Sequence, residues 1–161
     1  MVGIGSNLGD RLGYLEFAVR KLAELTVVVA RSRTYETAPW GDVPQGPYLN
    51  AAVLVDWTKG PHALLDALLC IERDAGRVRD VRFGPRTLDL DLLWMEGIRE
   101  VSEGLEVPHP RLHERAFALW PLLDVAPFAR DVHGKAYERP PFEGLLAVDG
   151  TPATSTGTIS V

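Results

Sequence analysis

Asp89 and Asp91 stand two residues apart in the run T-L-D-L-D-L-L-W, Thr87–Trp94. Side chains on a strand alternate between faces, so Leu88, Leu90 and Leu92 can bury together while both carboxylates share the other face, roughly 7 Å apart. At that distance two bare carboxylates repel by about 2 kcal/mol at an effective dielectric near 20. A divalent cation turns the repulsion into attraction, and Mg²⁺ commonly takes one or two protein carboxylates, completing its shell with phosphate oxygens and water. A D-x-D alone is equally what a half-exposed strand looks like, so its neighbourhood decides. Immediately upstream, R-V-R-D-V-R-F-G-P-R supplies Arg77, Arg79, Arg82 and Arg86, with Arg73 just before them. Guanidinium forks suit phosphate oxygens, and Gly84-Pro85 shapes a loop that could close over a substrate. Acidic strand and basic loop together point to a hard cation and a polyphosphate meeting at one place.

Three further groups could join them. His109 lies between two prolines in V-P-H-P-R, where a fixed backbone could aim its imidazole at phosphate. Arg115 and Phe117 follow; two residues apart, they diverge on a helix and share a face in extended chain. In P-Y-L-N-A-A-V, Tyr48 and Asn50 share a strand face, an aromatic platform beside an amide that could stack on and hydrogen-bond a flat heterocycle. The common phosphate-cradling loops are missing: no G-x-x-x-x-G-K-[ST] occurs, and G-I-G-S-N-L-G (Gly3–Gly9) places its third glycine one position too late for a dinucleotide fingerprint. That glycine cluster reads as a tight turn. No histidine pair has zinc-site spacing.

Elements must position these groups. Val2–Gly5 makes a short first strand, and Leu8, Leu12, Leu15, Val19 and Leu22 form a helical stripe N-capped by Asp10. Val27–Thr37 is a β-branched second strand, followed by a Pro/Gly-rich loop, a third strand over Leu49–Trp57 and a helix from about Pro61 to Ala75. Thr87–Trp94 is the fourth strand, and Pro108–Val125 holds a short helix. The order β-α-β-β-α-β gives an α+β, ferredoxin-like sandwich with helices on one face of an antiparallel sheet. The 161 residues suit one domain, expected over 1–148, with a small, polar, flexible tail at 149–161. A formal net charge of −5 argues against a general nucleic-acid surface, and no apolar run is long enough to span a membrane. Cys70, the one cysteine, excludes an internal disulfide and fits a reducing, cytoplasmic setting; its apolar surroundings predict a buried thiol.

The segments G-S-N-L-G-D-R, Y-E-T-A-P, Y-L-N-A-A-V, I-E-R with G-R-V-R, F-G-P-R-T-L-D-L-D-L, V-P-H-P-R and R-A-F-A-L-W-P-L resemble, in this order, the 6-hydroxymethyl-7,8-dihydropterin pyrophosphokinases of the folate pathway. The resemblance implies ATP and a reduced pterin as substrates, with pyrophosphate passed to the pterin hydroxymethyl group and AMP released. It implies two Mg²⁺ ions on Asp89 and Asp91, with Arg77 and Arg86 also serving the reaction. ATP would meet Glu72, Arg77, Arg79, Arg86, His109 and Arg115. The pterin would lie between Tyr48 and Phe117, with Thr37, Pro39, Trp40 and Asn50 around it. Phe83 replaces the tryptophan of the W-G-P-R pattern, keeping the ring and losing the indole donor. We expect a monomer that uses small molecules and neither nucleic acid nor membrane. Two rival readings predict different behaviour: a D-x-D nucleotidyltransferase would release pyrophosphate, and a ligand-sensing or RNA-binding module would show no Mg²⁺-dependent turnover.

Overall fold

The computed structural model describes residues 1–39, 44–76, 85–141 and 146–148. In chain order the elements are β1 (Val2–Ser6), α1 (Arg11–Leu25), β2 (Val27–Arg31), β3 (Tyr35–Thr37), β4 (Tyr48–Asp56), α2 (Pro61–Asp74), β5 (Asp89–Leu92), β6 (Glu100–Ser102), β7 (Leu105–Val107), α3 (Ala116–Val125) and β8 (Leu146–Ala147). The main sheet is antiparallel in the order β5-β1-β4-β3-β8, with β2 pairing the far half of β4. This is the ferredoxin-like α+β arrangement expected from the sequence. The first strand, short as it is, lies between β5 and β4 and not at a sheet edge.

Strand parity sorts the core. Val2 and Ile4 of β1, Leu49, Val53 and Val55 of β4, and Leu90 and Leu92 of β5 pack beneath α1 and α2. Those helices contribute Leu15, Ala18 and Leu22, and Leu64, Leu68 and Ile71. The opposite face is covered by α3, whose Ala118, Leu119, Leu122 and Leu123 pack on Met1, Ala52, Leu93 and Trp94. Helices therefore occupy both faces, which corrects the one-sided expectation: Ala52 and Leu54 of β4 and the Leu93-Trp94 step are also apolar and need their own cover.

Other boundaries shift for local reasons. Asp10 caps α1, accepting from the Gly13 N–H at 3.0 Å, but Leu8 precedes the helix and Leu12 lies off its buried stripe, both about half exposed. The expected strand Val27–Thr37 splits at Ser32–Thr34. There Ser32 pairs with Ala52 through backbone and hydroxyl, and the register shifts between Val28 and Ala30. Cys70 is exposed, not buried, because the inward stripe of α2 runs through Leu64, Leu68 and Ile71; Arg73 donates to its Sγ at 2.9 Å. The hairpin β6–β7 was not foreseen. The tail expected at 149–161 lies outside the described residues. Among the described residues no helix is long and apolar enough to cross a membrane.

Near the end of α3, Asp124 binds this second layer to the sheet. Its carboxylate accepts from Arg33 Nη2 at 2.8 Å, the Tyr35 hydroxyl at 2.7 Å and Arg139 Nη2 at 2.8 Å. Burial alone would push Asp124 up; hydrogen bonds from Arg33 and Tyr35 and the Arg33 charge outweigh it and hold the carboxyl below its ordinary range. A depressed folded value gives stability that is present above the unfolded Asp value near about 3.9 and lost as pH falls through the folded value. Asp124→Asn should cost about 1–2 kcal/mol at pH 7. In thermal melts the wild type should lose this advantage over the variant as pH drops below about 4; a gap constant from pH 7 to pH 2 would rule the assignment out.

Candidate functional site

The two sheet faces differ most at β1. Val2 and Ile4 point into the core, whereas Gly3 and Gly5 face the α3 side, paired across the ladder with Asp91 and Asp89 of β5 and with Ala52 and Asn50 of β4. A β-carbon on Gly3 would come 2.9 Å from Leu93 Cδ1, and one on Gly5 would come 3.2 Å from Asn50 Oδ1. The glycines thus leave a bare strip of backbone between two carboxylates and an amide. Over it lies a cavity of about 220 Å³.

Nine residues singled out in the sequence line this one cavity: Thr37, Tyr48, Asn50, Arg86, Asp89, Asp91, His109, Arg115 and Phe117. Pro39 is partly buried next to Ala38, which lines the cavity. Glu72 lies elsewhere, buried on α2, where its carboxylate accepts the Leu90 N–H at 2.7 Å and anchors β5. Trp40, Arg77 and Arg79, with Arg82 and Phe83, fall outside the described residues.

At one end the cavity is built for a flat, polar molecule. The Asn50 amide donates to Thr37 Oγ1 at 2.8 Å, which fixes its plane and leaves Oδ1 on the Gly5 side. Tyr48 pairs in register with Thr37, and Phe117, on the first turn of α3, lines the same cavity. Arg115 immediately precedes α3 in non-helical conformation, and its guanidinium carbon is 5.8 Å from the Phe117 ring centroid. The helical divergence considered for this pair does not arise, since Arg115 is not yet in the helix.

The other end is charged. Arg86 Nη1 meets Asp89 at 2.6 Å, and Arg115 Nη1 lies 3.6 Å from Asp91. Asp91 is pushed up to about 6, by loss of water and then by the Asp89 charge, although it opens onto the cavity. Burial, reinforced by Arg115 and Arg111, pushes His109 down to about 4. Its ring is therefore neutral near pH 7. Nδ1 accepts the Arg111 N–H at 3.2 Å, which puts the ring hydrogen on Nε2, 3.4 Å from Arg115 Nη1. Two donors facing one another in this way suit an anion placed between them.

Two carboxylates on adjacent same-face positions are a hard-oxygen donor set, short of a full shell, and so suited to a cation that brings phosphate and water ligands with it. Among the described residues no group of three or more His, Cys, Asp or Glu side chains could close a metal site by itself. The donor set therefore fits Mg²⁺ bound together with a phosphate ligand.

The sequence reading missed Asn7, treating S-N-L-G only as a turn. Asn7 is buried and uses its whole amide: Nδ2 donates to Gln45 Oε1 at 2.8 Å and to the Gly46 carbonyl at 3.2 Å, while Oδ1 accepts the Arg86 N–H at 2.8 Å. One side chain thus ties the approach to Tyr48 to the residue that meets Asp89. An asparagine directly after a strand, before Leu-Gly-Asp, was the available signal.

Comparison with known proteins gives consistent matches. The family model described as 7,8-dihydro-6-hydroxymethylpterin-pyrophosphokinase (HPPK) matches residues 1–127. A 2-amino-4-hydroxy-6-hydroxymethyldihydropteridine pyrophosphokinase of Methylorubrum extorquens is 48% identical over 128 residues, covering 78% of this chain and 81% of that protein. The protein of the same name from Bacillus subtilis is 43% identical over 126 residues, covering 77% and 75%. A solved Plasmodium falciparum HPPK-DHPS chain shares the fold, with a TM-score of 0.59 at 15% identity over 84% of this chain and 41% of that one.

Asn7→Ala should lower stability by about 2 kcal/mol, since it leaves the Arg86 N–H and the Gly46 carbonyl without their partner. Urea denaturation measures this directly; a loss below about 0.5 kcal/mol would mean that water replaces the amide at no cost.

Proposed function

The chain belongs to the 7,8-dihydro-6-hydroxymethylpterin-pyrophosphokinase family, and on that footing we propose that it transfers pyrophosphate from ATP to the hydroxymethyl group of 6-hydroxymethyl-7,8-dihydropterin, releasing AMP, as a step of folate biosynthesis. The observation that carries this reading is one cavity with a stacking, amide-lined end and a carboxylate–guanidinium end, the two halves a pterin and a triphosphate require.

The pterin ring would lie between Tyr48 and Phe117, with Asn50 and Thr37 at its polar edge and Pro39 beside it; the family resemblance adds Trp40 to its binders. Arg86, Arg115 and His109, with Arg77 and Arg79, receive the triphosphate; Glu72 supports them through its hold on β5. Asp89 and Asp91 would hold Mg²⁺, in the family pattern two ions. The metal supplies Lewis-acid charge neutralisation on the phosphate oxygens. The pterin hydroxyl oxygen attacks the β-phosphorus, the bond from that phosphorus to the α,β-bridging oxygen breaks, AMP leaves with the electron pair, and the hydroxyl proton is released. The residues named need do no covalent chemistry. They align hydroxyl and phosphorus in line and stabilise charge on the transferring group. The neutral His109 suits this arrangement, donating from Nε2 without needing a carboxylate partner. The single cysteine supports a reducing, cytoplasmic location.

Protein incubated with ATP, Mg²⁺ and the pterin alcohol should yield AMP in step with pyrophosphorylated pterin, resolved by chromatography. Asp89→Ala and Asp91→Ala should each lower the rate by at least about 10²-fold, and chelation with EDTA should abolish turnover until Mg²⁺ is restored. ADP in place of AMP would mean transfer of a single phosphoryl group. Release of pyrophosphate would mean nucleotidyl transfer, and either product sinks the proposal.

A further inference from the structure

Asp124 stands apart from the cavity, yet the two walls of the stacking end meet through it. It is the penultimate residue of α3, roughly 10 Å along the helix from Phe117 by helical rise. A carboxylate in the last turn of a helix opposes the helix dipole, so this position is electrostatically poor for an acid unless donors surround it. Donors do surround it. Oδ2 accepts from the Arg33 backbone N–H and Nε, each at 3.2 Å, and from the Tyr35 hydroxyl at 2.7 Å; Oδ1 accepts from Arg33 Nη2 and Arg139 Nη2, each at 2.8 Å. The donors come from the β2–β3 connection, from β3 itself and from the segment after α3.

Each partner leads back to the cavity. Tyr35, fully buried, pairs in register with Asn50, and two residues on Thr37 pairs with Tyr48. The Tyr35 ring meets Trp120 edge-on, with centroids 6.3 Å apart, and Trp120 lies one helical turn after Phe117. Arg139 lies 4.8 Å over the Trp120 ring, and Trp120 Nε1 donates to the Pro140 carbonyl at 3.2 Å. Residues 139 and 140 lie beyond the stretch that the family model matches, 1–127.

We propose that Asp124 is a positioning residue for the heterocycle: by tying α3 to β3 and to Arg139 it sets the separation between Phe117 and the Tyr48–Asn50 wall. This rests on the pterin reading above. At the phosphate end Arg86, Asp89, Asp91 and His109 belong to other segments than α3, and only Arg115, directly before the helix, is joined to the element that Asp124 holds. The two substrates should therefore respond differently to its loss, which a general loosening of the fold would not produce.

The experiment measures dissociation constants by calorimetry for the pterin, with α,β-methylene-ATP present, and for that analogue alone, on wild type, Asp124→Asn and Tyr35→Phe. Thermal melts first establish that each variant is folded at the assay temperature. Asp124→Asn should weaken pterin binding about tenfold and leave the ATP analogue within about twofold; Tyr35→Phe, which keeps the ring on Trp120, should weaken pterin about threefold. Unchanged pterin affinity in folded variants, or equal losses for both ligands, overturns the proposal. If Asp124→Asn does not fold, Tyr35→Phe decides by the same criterion. A wild type that binds the nucleotide but no pterin overturns the functional reading, and this inference with it. A wild type that binds both while the variants fail to separate them overturns this inference alone.

Discussion

The architecture depends on one strand having two different faces. Val2 and Ile4 close the core beneath the two long helices, and Gly3 and Gly5 offer nothing on the other side. Because β1 sits between β5 and β4, that emptiness falls between Asp89 and Asp91 on one flank and Asn50 on the other. A side chain at Gly5 would press on the side-chain Oδ1 of Asn50, and one at Gly3 would displace Leu93. The cavity is thus produced by strand periodicity and the lack of two β-carbons, and the remaining elements frame it.

Charge within the frame is nearly balanced. Arg86 faces Asp89 and Arg115 faces Asp91, while His109 is kept neutral by burial and by the arginines around it. Burial, and then the Asp89 charge, raise the proton affinity of Asp91. Such a pair tolerates confinement because guanidinium groups lie alongside. Asn7 and Asp124 act on either side of this centre, one tying the ends of two loops together, the other holding the helix that forms the far wall.

Much of this was legible in the sequence because period-2 alternation is a local property. The T-L-D-L-D-L-L-W run gives the face of both carboxylates, and Tyr48 with Asn50 gives the stacking wall, without reference to the rest of the chain. The family resemblance brought His109, Arg115 and Phe117 to the same place. What escaped was non-local. The split between β2 and β3 follows from Ser32 bonding to Ala52, twenty residues on, and from Arg33 reaching Asp124. The second helical layer required knowing that Leu93 and Trp94 meet the even positions of β4. Cys70 was misjudged because an apolar run on a helix does not say which of its members face inward; only the stripe Leu64, Leu68, Ile71 does. The role of Asn7 escaped for a non-local reason, since its partners lie 38 and 79 residues away; its place directly after a strand was the one local signal.

The ion pairs also bear on how a polyphosphate could enter. On the functional reading, Arg86 and Arg115 give up Asp89 and Asp91 for phosphate oxygens, and the carboxylates are left for a divalent cation carried by the same ligand. Each charge exchanges one opposite charge for another, so no ion is stranded without a partner in a place poor in water. Removing one member of a confined pair is costly, whereas exchanging partners within it is far less so. A cavity prepared with two cations and two anions can therefore receive a ligand bearing both signs, while a bare nucleotide or a bare metal ion satisfies only half of it. On the proposed function, the pairing of Arg86 with Asp89 and of Arg115 with Asp91 would itself be a reason for the site to favour a metal–triphosphate complex over either component alone.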